Sequence, residues 1–145
     1  MGHPRNRRRS RALAVLLGVP LVVGGHEAFA RDSAEPPSRA EAEAVLDEAV
    51  RLARSGDHLG LCRFLAAADA TCRNLLQSAR NMGREPGQTR PEVVGVRRTA
   101  RQTVLHLRGV LADGSGFTSD FGVIRDHRGL RAGTPVYWAG VTIAG

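Results

Sequence analysis

The period of the hydrophobic pattern changes about halfway along this chain. Between Ser38 and Gly83, apolar residues recur at the three- and four-residue spacing of amphipathic helices. From Glu92 onward they alternate with polar residues, which is the period of a half-buried β-strand. The pattern therefore predicts an α+β fold, in which two to three N-terminal helices pack on a four-stranded antiparallel meander.

The first predicted helix has clear start and stop signals. Ser38 and Glu41 stand at capping-box spacing, where each side chain satisfies the other residue's backbone amide. Gly56 is suited to the left-handed conformation that commonly ends a helix. Between these signals the apolar stripe consists of Ala42, Val45, Ala49, Leu52 and Ala53.

Two shorter helices are predicted after this glycine. Asp57 is placed to cap the second helix, and Asp69 is placed to cap the third, which ends at Gly83. The inward residues of the second helix are predicted to be Leu61, Phe64 and Leu65.

The two cysteines, Cys62 and Cys72, lie on these short helices. An exported chain with a single possible pair favours a disulfide bond between them. Two other interpretations remain open. His58 shares a helix face with Cys62 and would give three zinc ligands, one fewer than a structural site uses. Cys72 beside Arg73 at a helix N-terminus would favour a reactive thiolate, although no Cys-x-x-Cys motif is present. We therefore predict no metal site and no cofactor.

The second half of the chain divides into strands at its turn residues. The segments Asp113–Gly116 and Asp126–Gly129 carry the Asp and Gly residues that tight turns favour. The predicted strands are Glu92–Arg98, Gln102–Leu111, Phe117–Arg125 and Leu130–Trp138.

The turns also predict a register. A second hairpin centred on Gly114 would place Leu107 opposite Phe121 and Leu105 opposite Val123. The third would place Val123 opposite Ala132, Phe121 opposite Thr134 and Phe117 opposite Trp138, and the first would place Val94 opposite Leu105. One face of the sheet is then almost wholly apolar, so Leu107, Phe121 and Trp138 are expected beneath the helices.

The other face of the predicted sheet is rich in arginine. In this register Arg108 lies opposite Asp120 as a cross-strand ion pair. The residues proposed as a candidate binding face are Arg97, His106, Arg108, Arg131 and Tyr137. Because arginine forks suit carboxylates and phosphates, an acidic protein or an anionic envelope polymer is the expected partner. The alternative is an ordinary solvated sheet surface.

The N-terminal segment has the organisation of an export signal. A basic stretch, Arg5–Arg11, precedes an apolar run, Ala12–Val23, and the small-x-small site Ala28–Ala30. We expect cleavage after Ala30. Retention as a membrane anchor is the alternative, but the run is shorter than the roughly 18 residues that a spanning helix needs.

This assignment sets the domain organisation. A signal peptide (1–30) is followed by a flexible lead (31–37) and one α+β domain (38–145). The protein is expected to be secreted or extracytoplasmic, with no membrane span after cleavage.

The net charge argues against a nucleic-acid partner. The formal charge of the whole chain is +7, but residues 31–145 hold 16 arginines and 13 acidic residues, an excess of only +3. A nucleic-acid surface requires a clustered basic stripe. The six aromatic residues are also too few for a platform that stacks single-stranded bases.

The order of elements resembles the NTF2-like group. An Ala-rich helix ends in Ser55-Gly56-Asp57, a short helix follows, and a curved meander ends in Tyr137-Trp138. The resemblance covers residues 38–141 and implies a cone-shaped, cystatin-like fold. Enzymes of this group place Asp and His in the pocket between helices and sheet. Here the face that would line that pocket offers Ser119 and Thr134 as its polar groups, so no catalytic residue is assigned.

Two functions are therefore expected from the sequence. The first is a secreted, non-enzymatic binding module of unknown ligand. The alternative is a small NTF2-like enzyme with isomerase- or dehydratase-type acid–base chemistry. Its candidate pairs would be Asp57 with His58 and His106 with Asp120.

Overall fold

The computed structural model describes residues 35–145. The predicted signal peptide and its predicted cleavage site lie outside the described residues, as does most of the predicted lead. The helices are α1 (Arg39–Arg54), α2 (His58–Gly60) with a π-helical turn (Leu61–Leu65), and α3 (Asp69–Asn81). The strands are β1 (Glu92–Arg98), β2 (Gln102–Val110), β3 (Gly116–Asp126) and β4 (Gly129–Ala132). The predicted α+β class is confirmed, with an antiparallel sheet in the order β1-β2-β3-β4.

Helix α1 forms as its sequence predicts. The Ser38 hydroxyl accepts from the Glu41 amide at 3.1 Å, and the Glu41 carboxylate accepts from the Ser38 amide at 2.8 Å. All five residues of the predicted stripe are buried. The helix is followed by Gly56 with a φ of +72°, which an L side chain would adopt only with strain. The described part of the lead is attached to strand β2, because the buried carbonyl of Pro37 accepts a hydrogen bond from the Thr103 hydroxyl.

The segment after α1 is a single turn of α-helix that widens into a π-helical turn. The Asp57 carboxylate accepts from the Gly60 amide at 2.8 Å, so the predicted cap is confirmed. The predicted disulfide is also confirmed, since Cys62 on the π-helical turn is bonded to Cys72 on α3. Leu61 and Leu65 are buried, but the prediction for Phe64 was wrong, because 61% of this side chain is exposed. The wider π turn rotates Phe64 out of the position that α-helical spacing assigns to it.

Helix α3 begins one residue earlier than the predicted cap at Asp69 requires, so the prediction of Asp69 as the cap was wrong. Ala68 occupies the cap position and has no side-chain hydrogen bond to offer. Asp69 is instead the first helical residue, and its carboxylate accepts from Arg73 one turn further on. Helix α3 then ends just before Gly83, as predicted, with a φ of +65° at that glycine.

The second hairpin differs from the predicted register by two residues. Leu105 pairs with Phe121, and Leu107 pairs with Ser119, because the turn is centred on Asp113 rather than on Gly114. Leu111 leaves the ladder at this turn to form an isolated bridge with Pro86. A shift of two residues changes partners but not faces, so Leu107 and Phe121 are buried as expected.

The first hairpin contains a β-bulge that the sequence analysis did not predict. The register shifts by one residue between Val93 and Gly95, and beyond this shift Val96 rather than Val94 lies opposite Leu105. Val94 is the extra residue, and its side chain is 51% exposed.

Strand β4 is shorter than predicted. Val123 pairs with Ala132 as expected, but the strand ends there instead of continuing to Trp138. Pro135 has no amide hydrogen for a ladder. Beyond the end of β4, the Gly122 amide donates a hydrogen bond to the Thr134 hydroxyl at 2.9 Å instead of to a backbone carbonyl of a longer strand. The chain then turns inward, and the edge of β4 is covered where the Ala67 amide donates to the Ala132 carbonyl at 2.8 Å.

The space between the helices and the sheet is filled rather than open. Tyr137 and Trp138 enter it after β4 and are 2% and 1% exposed. They join the fully buried Phe121 and the buried faces of α1 and α3 in one hydrophobic core. Within residues 35–145, no helix is long and apolar enough to cross a membrane.

Candidate functional site

The outer face of the sheet, opposite the helices, is covered by the last residues of the chain. We call residues 141–145 the strap. The Val141 carbonyl accepts from the Asp120 amide at 2.7 Å, next to the end of β4. The Ile143 amide then donates to the Asp120 carboxylate at 2.8 Å. Val104 lies on this face, away from the main core, and is completely buried.

Arg97 is predicted to belong to a binding face, and the structure places it against the strap. Its guanidinium donates to the Ile143 carbonyl at 2.9 Å and approaches the Ala144 carbonyl at 3.5 Å. An arginine that is engaged by backbone carbonyls has fewer donors left for an acidic ligand.

His106 and Arg108 are also engaged within the chain. The two-residue change in register places His106, rather than Arg108, opposite Asp120. The His106 Nδ1 atom lies 2.6 Å from the Asp120 carboxylate. Arg108 instead forms an exposed ion pair with Glu92 on β1 at 2.8 Å, so the predicted Arg108–Asp120 pair was wrong.

The two remaining candidates lie elsewhere. Arg131 donates to the Phe64 carbonyl and, at 3.3 Å, to the Arg128 carbonyl, so it joins β4 to the π-helical turn. Tyr137 was wrongly placed on the binding face, because β4 ends before it and the side chain turns into the core. Burial raises the pKa of Tyr137 to about 12.

These contacts weaken the case for an open arginine-rich surface. Each of the three arginines already has a partner inside the chain, and the tyrosine is buried. Binding of an acidic partner at this face stays a prediction.

A different surface is both exposed and rigid. We call Leu59, Gly60, Arg63 and Phe64 the Phe64 ledge. Leu59 is 74% exposed and Phe64 is 61% exposed, although both side chains are large and apolar. The ledge borders a concavity of about 710 Å³ that reaches Asp69 at the start of α3.

Three contacts hold the Phe64 ledge in place. The disulfide bond links the π-helical turn to α3. The hydrogen bond from the Gly60 amide to the Asp57 carboxylate fixes the helical turn that precedes the π-helical turn. Arg131 holds the Phe64 carbonyl from the sheet side. A Cβ atom at Gly60 would collide with the Asp57 carboxylate, so this close cap requires glycine. The two exposed apolar side chains therefore project from a fixed backbone.

The charges around the concavity are balanced. Asp57 and Asp69 face Arg63 and Arg73, and of these Asp69 and Arg73 are paired with each other. The Arg63 guanidinium lies 5.9 Å from the Phe64 ring centre, at cation–π distance. The rim therefore carries no net charge that would attract a polyanion.

The sequence analysis did not identify the Phe64 ledge. Leu59 and Phe64 stand five residues apart, which matches the wider turn of a π-helix rather than an α-helical stripe. The five-residue spacing of these two apolar residues, next to Cys62, was the available signal in the sequence.

The other predicted chemistries find limited support in the geometry. His58 packs against Trp138 at a ring separation of 5.4 Å, while Asp57 serves as a cap. Within residues 35–145, no group of three His, Cys, Asp or Glu residues is arranged to hold a metal ion.

Comparison with family models, with curated proteins and with solved structures gives no match to this chain. The α+β architecture is a property of the structure itself. Membership of the NTF2-like group therefore stays a prediction.

Proposed function

We propose that this protein is an extracytoplasmic, non-enzymatic binding module that docks an apolar segment of a partner protein on the Phe64 ledge. The observation that carries the proposal is the exposure of Leu59 and Phe64, two large apolar side chains that line the same concavity next to a disulfide-braced turn. Exposed apolar surface with a polar rim commonly marks an interaction site on a protein.

The chemistry of the rim supports a protein partner over a polyanion. The cores of protein interfaces are enriched in aromatic residues and arginine, as on this ledge. The balanced pairs of acidic and basic residues favour a partner whose own surface is apolar and of mixed charge. A rigid backbone also lowers the entropy that is lost on binding.

The disulfide supports an extracytoplasmic location for this module. Such bonds persist in oxidising compartments and are rare in the cytosol. Because the bond also fixes the ledge, the same compartment would maintain the binding surface.

A photoreactive phenylalanine analogue incorporated at position 64 tests this proposal. The full chain is produced in cells that naturally make it, irradiated, and analysed by mass spectrometry. Met82, which is 57% exposed, provides the matched control position. We expect one defined adduct with another protein at position 64, which is absent at position 82 and is lost with Leu59→Ser. Equal labelling at both positions would refute the ledge, and a covalent dimer of the chain would identify a second copy as the occupant.

A second candidate function is acid–base catalysis, which rests on the contact between His106 and Asp120. A carboxylate oriented toward an imidazole is a common acid–base arrangement, and this pair borders a depression of about 230 Å³. The hydrolysis of p-nitrophenyl acetate by wild type and by His106→Gln tests it. Equal background rates would remove this candidate.

A further inference from the structure

The strap is held on the outer face of the sheet mainly through its backbone. Asp120 receives the Ile143 amide on its carboxylate and donates its own amide to the Val141 carbonyl. Arg97, on the opposite side of this face, donates to the Ile143 carbonyl. Any extended peptide offers the same amide and carbonyl groups, so these contacts do not depend on the strap's own side chains.

One side chain of the strap has a specific seat. The Ile143 Cδ1 atom lies 3.0 Å from the position that a Cβ atom would take at Gly122. The glycine therefore leaves a shallow floor that accepts one aliphatic side chain. Gln102 forms the neighbouring wall, with its Oε1 atom 2.9 Å from the same position.

The Asp120 carboxylate, which accepts the hydrogen bond of the strap, is oriented by His106. His106 holds one oxygen of the Asp120 carboxylate at 2.6 Å, which leaves the other oxygen aimed at the Ile143 amide. His106 is thus a positioning residue for the contact with the peptide backbone.

The strap is also attached in a way that permits release. It follows Gly140, whose φ of +77° marks a turn between the buried Ala139 and the strap. Within the strap only Val141 packs against the core. Residues beyond it can leave the sheet without opening the helix–sheet interior.

We propose that the outer face is a binding groove for an extended peptide segment of a partner protein, and that the strap occupies this groove in cis. The ligand class is a peptide that presents backbone groups to Arg97 and Asp120 and an aliphatic side chain to Gly122. This groove is separate from the Phe64 ledge and goes beyond the function proposed there.

A covalently attached occupant competes with a free peptide at an effective concentration on the order of millimolar. The groove of the wild-type chain should therefore be masked from ligands in solution. Weakening the strap should unmask it.

The test uses the full chain and a fluorescently labelled peptide with the sequence of residues 140–145, Gly-Val-Thr-Ile-Ala-Gly. In the Ile143→Gly variant, fluorescence anisotropy should show at least about tenfold tighter binding than in wild type, since the cis competitor is weakened. Adding Arg97→Met should remove that gain. Arg101→Met, at an exposed arginine in the same hairpin, should leave it unchanged.

A second variant separates release of the strap from access to the groove. Gly122→Ala places a methyl group against Ile143, so it should loosen the strap and also fill the floor. We expect faster hydrogen exchange at the backbone amide of position 143 in both variants, after correction for the intrinsic rate of each residue type, but peptide binding only in Ile143→Gly.

Two results would overturn the proposal. A released strap without peptide binding would show that the face is not a groove for other segments. A backbone amide at position 143 that is as protected in Ile143→Gly as in wild type would show that the contact of the Ile143 side chain with Gly122 does not hold the strap. Retained Trp138 fluorescence establishes in each case that the domain is folded.

Discussion

Two phenylalanines in this chain differ sharply in burial and provide a direct test of the structure. Phe121 is fully buried at the centre of the sheet, whereas Phe64 is 61% exposed on the ledge. Replacing each by alanine removes the same atoms. Any difference between the two variants in the free energy of unfolding therefore comes from the environment of the ring.

The expected magnitudes follow from that burial. Phe121→Ala loses the transfer free energy of the ring and leaves a cavity, which together cost about 3–5 kcal/mol. For a domain of this size the midpoint of thermal unfolding should fall by roughly 12 °C or more. Phe64→Ala should change the free energy of unfolding by less than about 1 kcal/mol, because little of its surface is buried.

Urea unfolding monitored by the single tryptophan, Trp138, measures both variants. The dependence of the free energy on urea concentration should stay unchanged, so that the shift in midpoint reports stability alone. Equal losses in the two variants would refute the assignment of Phe121 to the core and of Phe64 to the surface. A stable Phe64→Ala variant also establishes that changes on the ledge affect binding without unfolding the domain.

Three further predictions follow from named contacts. Replacing Cys62 and Cys72 by alanine should lower the free energy of unfolding by about 3 kcal/mol in urea, because the unfolded chain gains the entropy of an open loop. The Arg125 guanidinium lowers the pKa of the Glu41 carboxyl below 4.5, so the stability it contributes is present above that pH and lost as pH falls through the lower folded value. Acid unfolding of Arg125→Met should therefore show a smaller loss over that window, and NMR titration should place the Glu41 pKa higher. Burial raises the pKa of Tyr137 from 10.0 to about 12, so its stabilising contribution is complete below pH 10.0 and lost toward pH 12. Tyrosinate absorbance of the native protein near pH 10.0 would contradict that burial.

The features predicted correctly from the sequence are those set by local chemistry. The capping box of Ser38 and Glu41 needs only a spacing of three residues, and a helix then follows from its apolar stripe. The faces of the second hairpin were also predicted, since Leu107 and Phe121 point into the core. Their partners were not, because a shift of two residues preserves the alternation on which the prediction rests.

The candidate site depended on features that periodicity does not encode. Phe64 is exposed because the turn that carries it is wider than an α-helical turn. Tyr137 is buried because β4 stops at Ala132, before the segment that contains Pro135. The strap contacts the sheet through backbone groups of Ile143, which every sequence possesses and no residue pattern reveals.

The bulge in β1 also bears on how copies of this protein behave when they are concentrated. An open, regular edge strand invites pairing with a neighbouring molecule and the growth of aggregates. Here Val94 interrupts the ladder of the edge strand, and the charged residues Arg97 and Arg98 stand near its end. At the opposite edge, Ala67 already uses the carbonyl of Ala132. Neither edge presents a regular template, so the sheet is poorly suited to edge-to-edge aggregation even at high protein concentration.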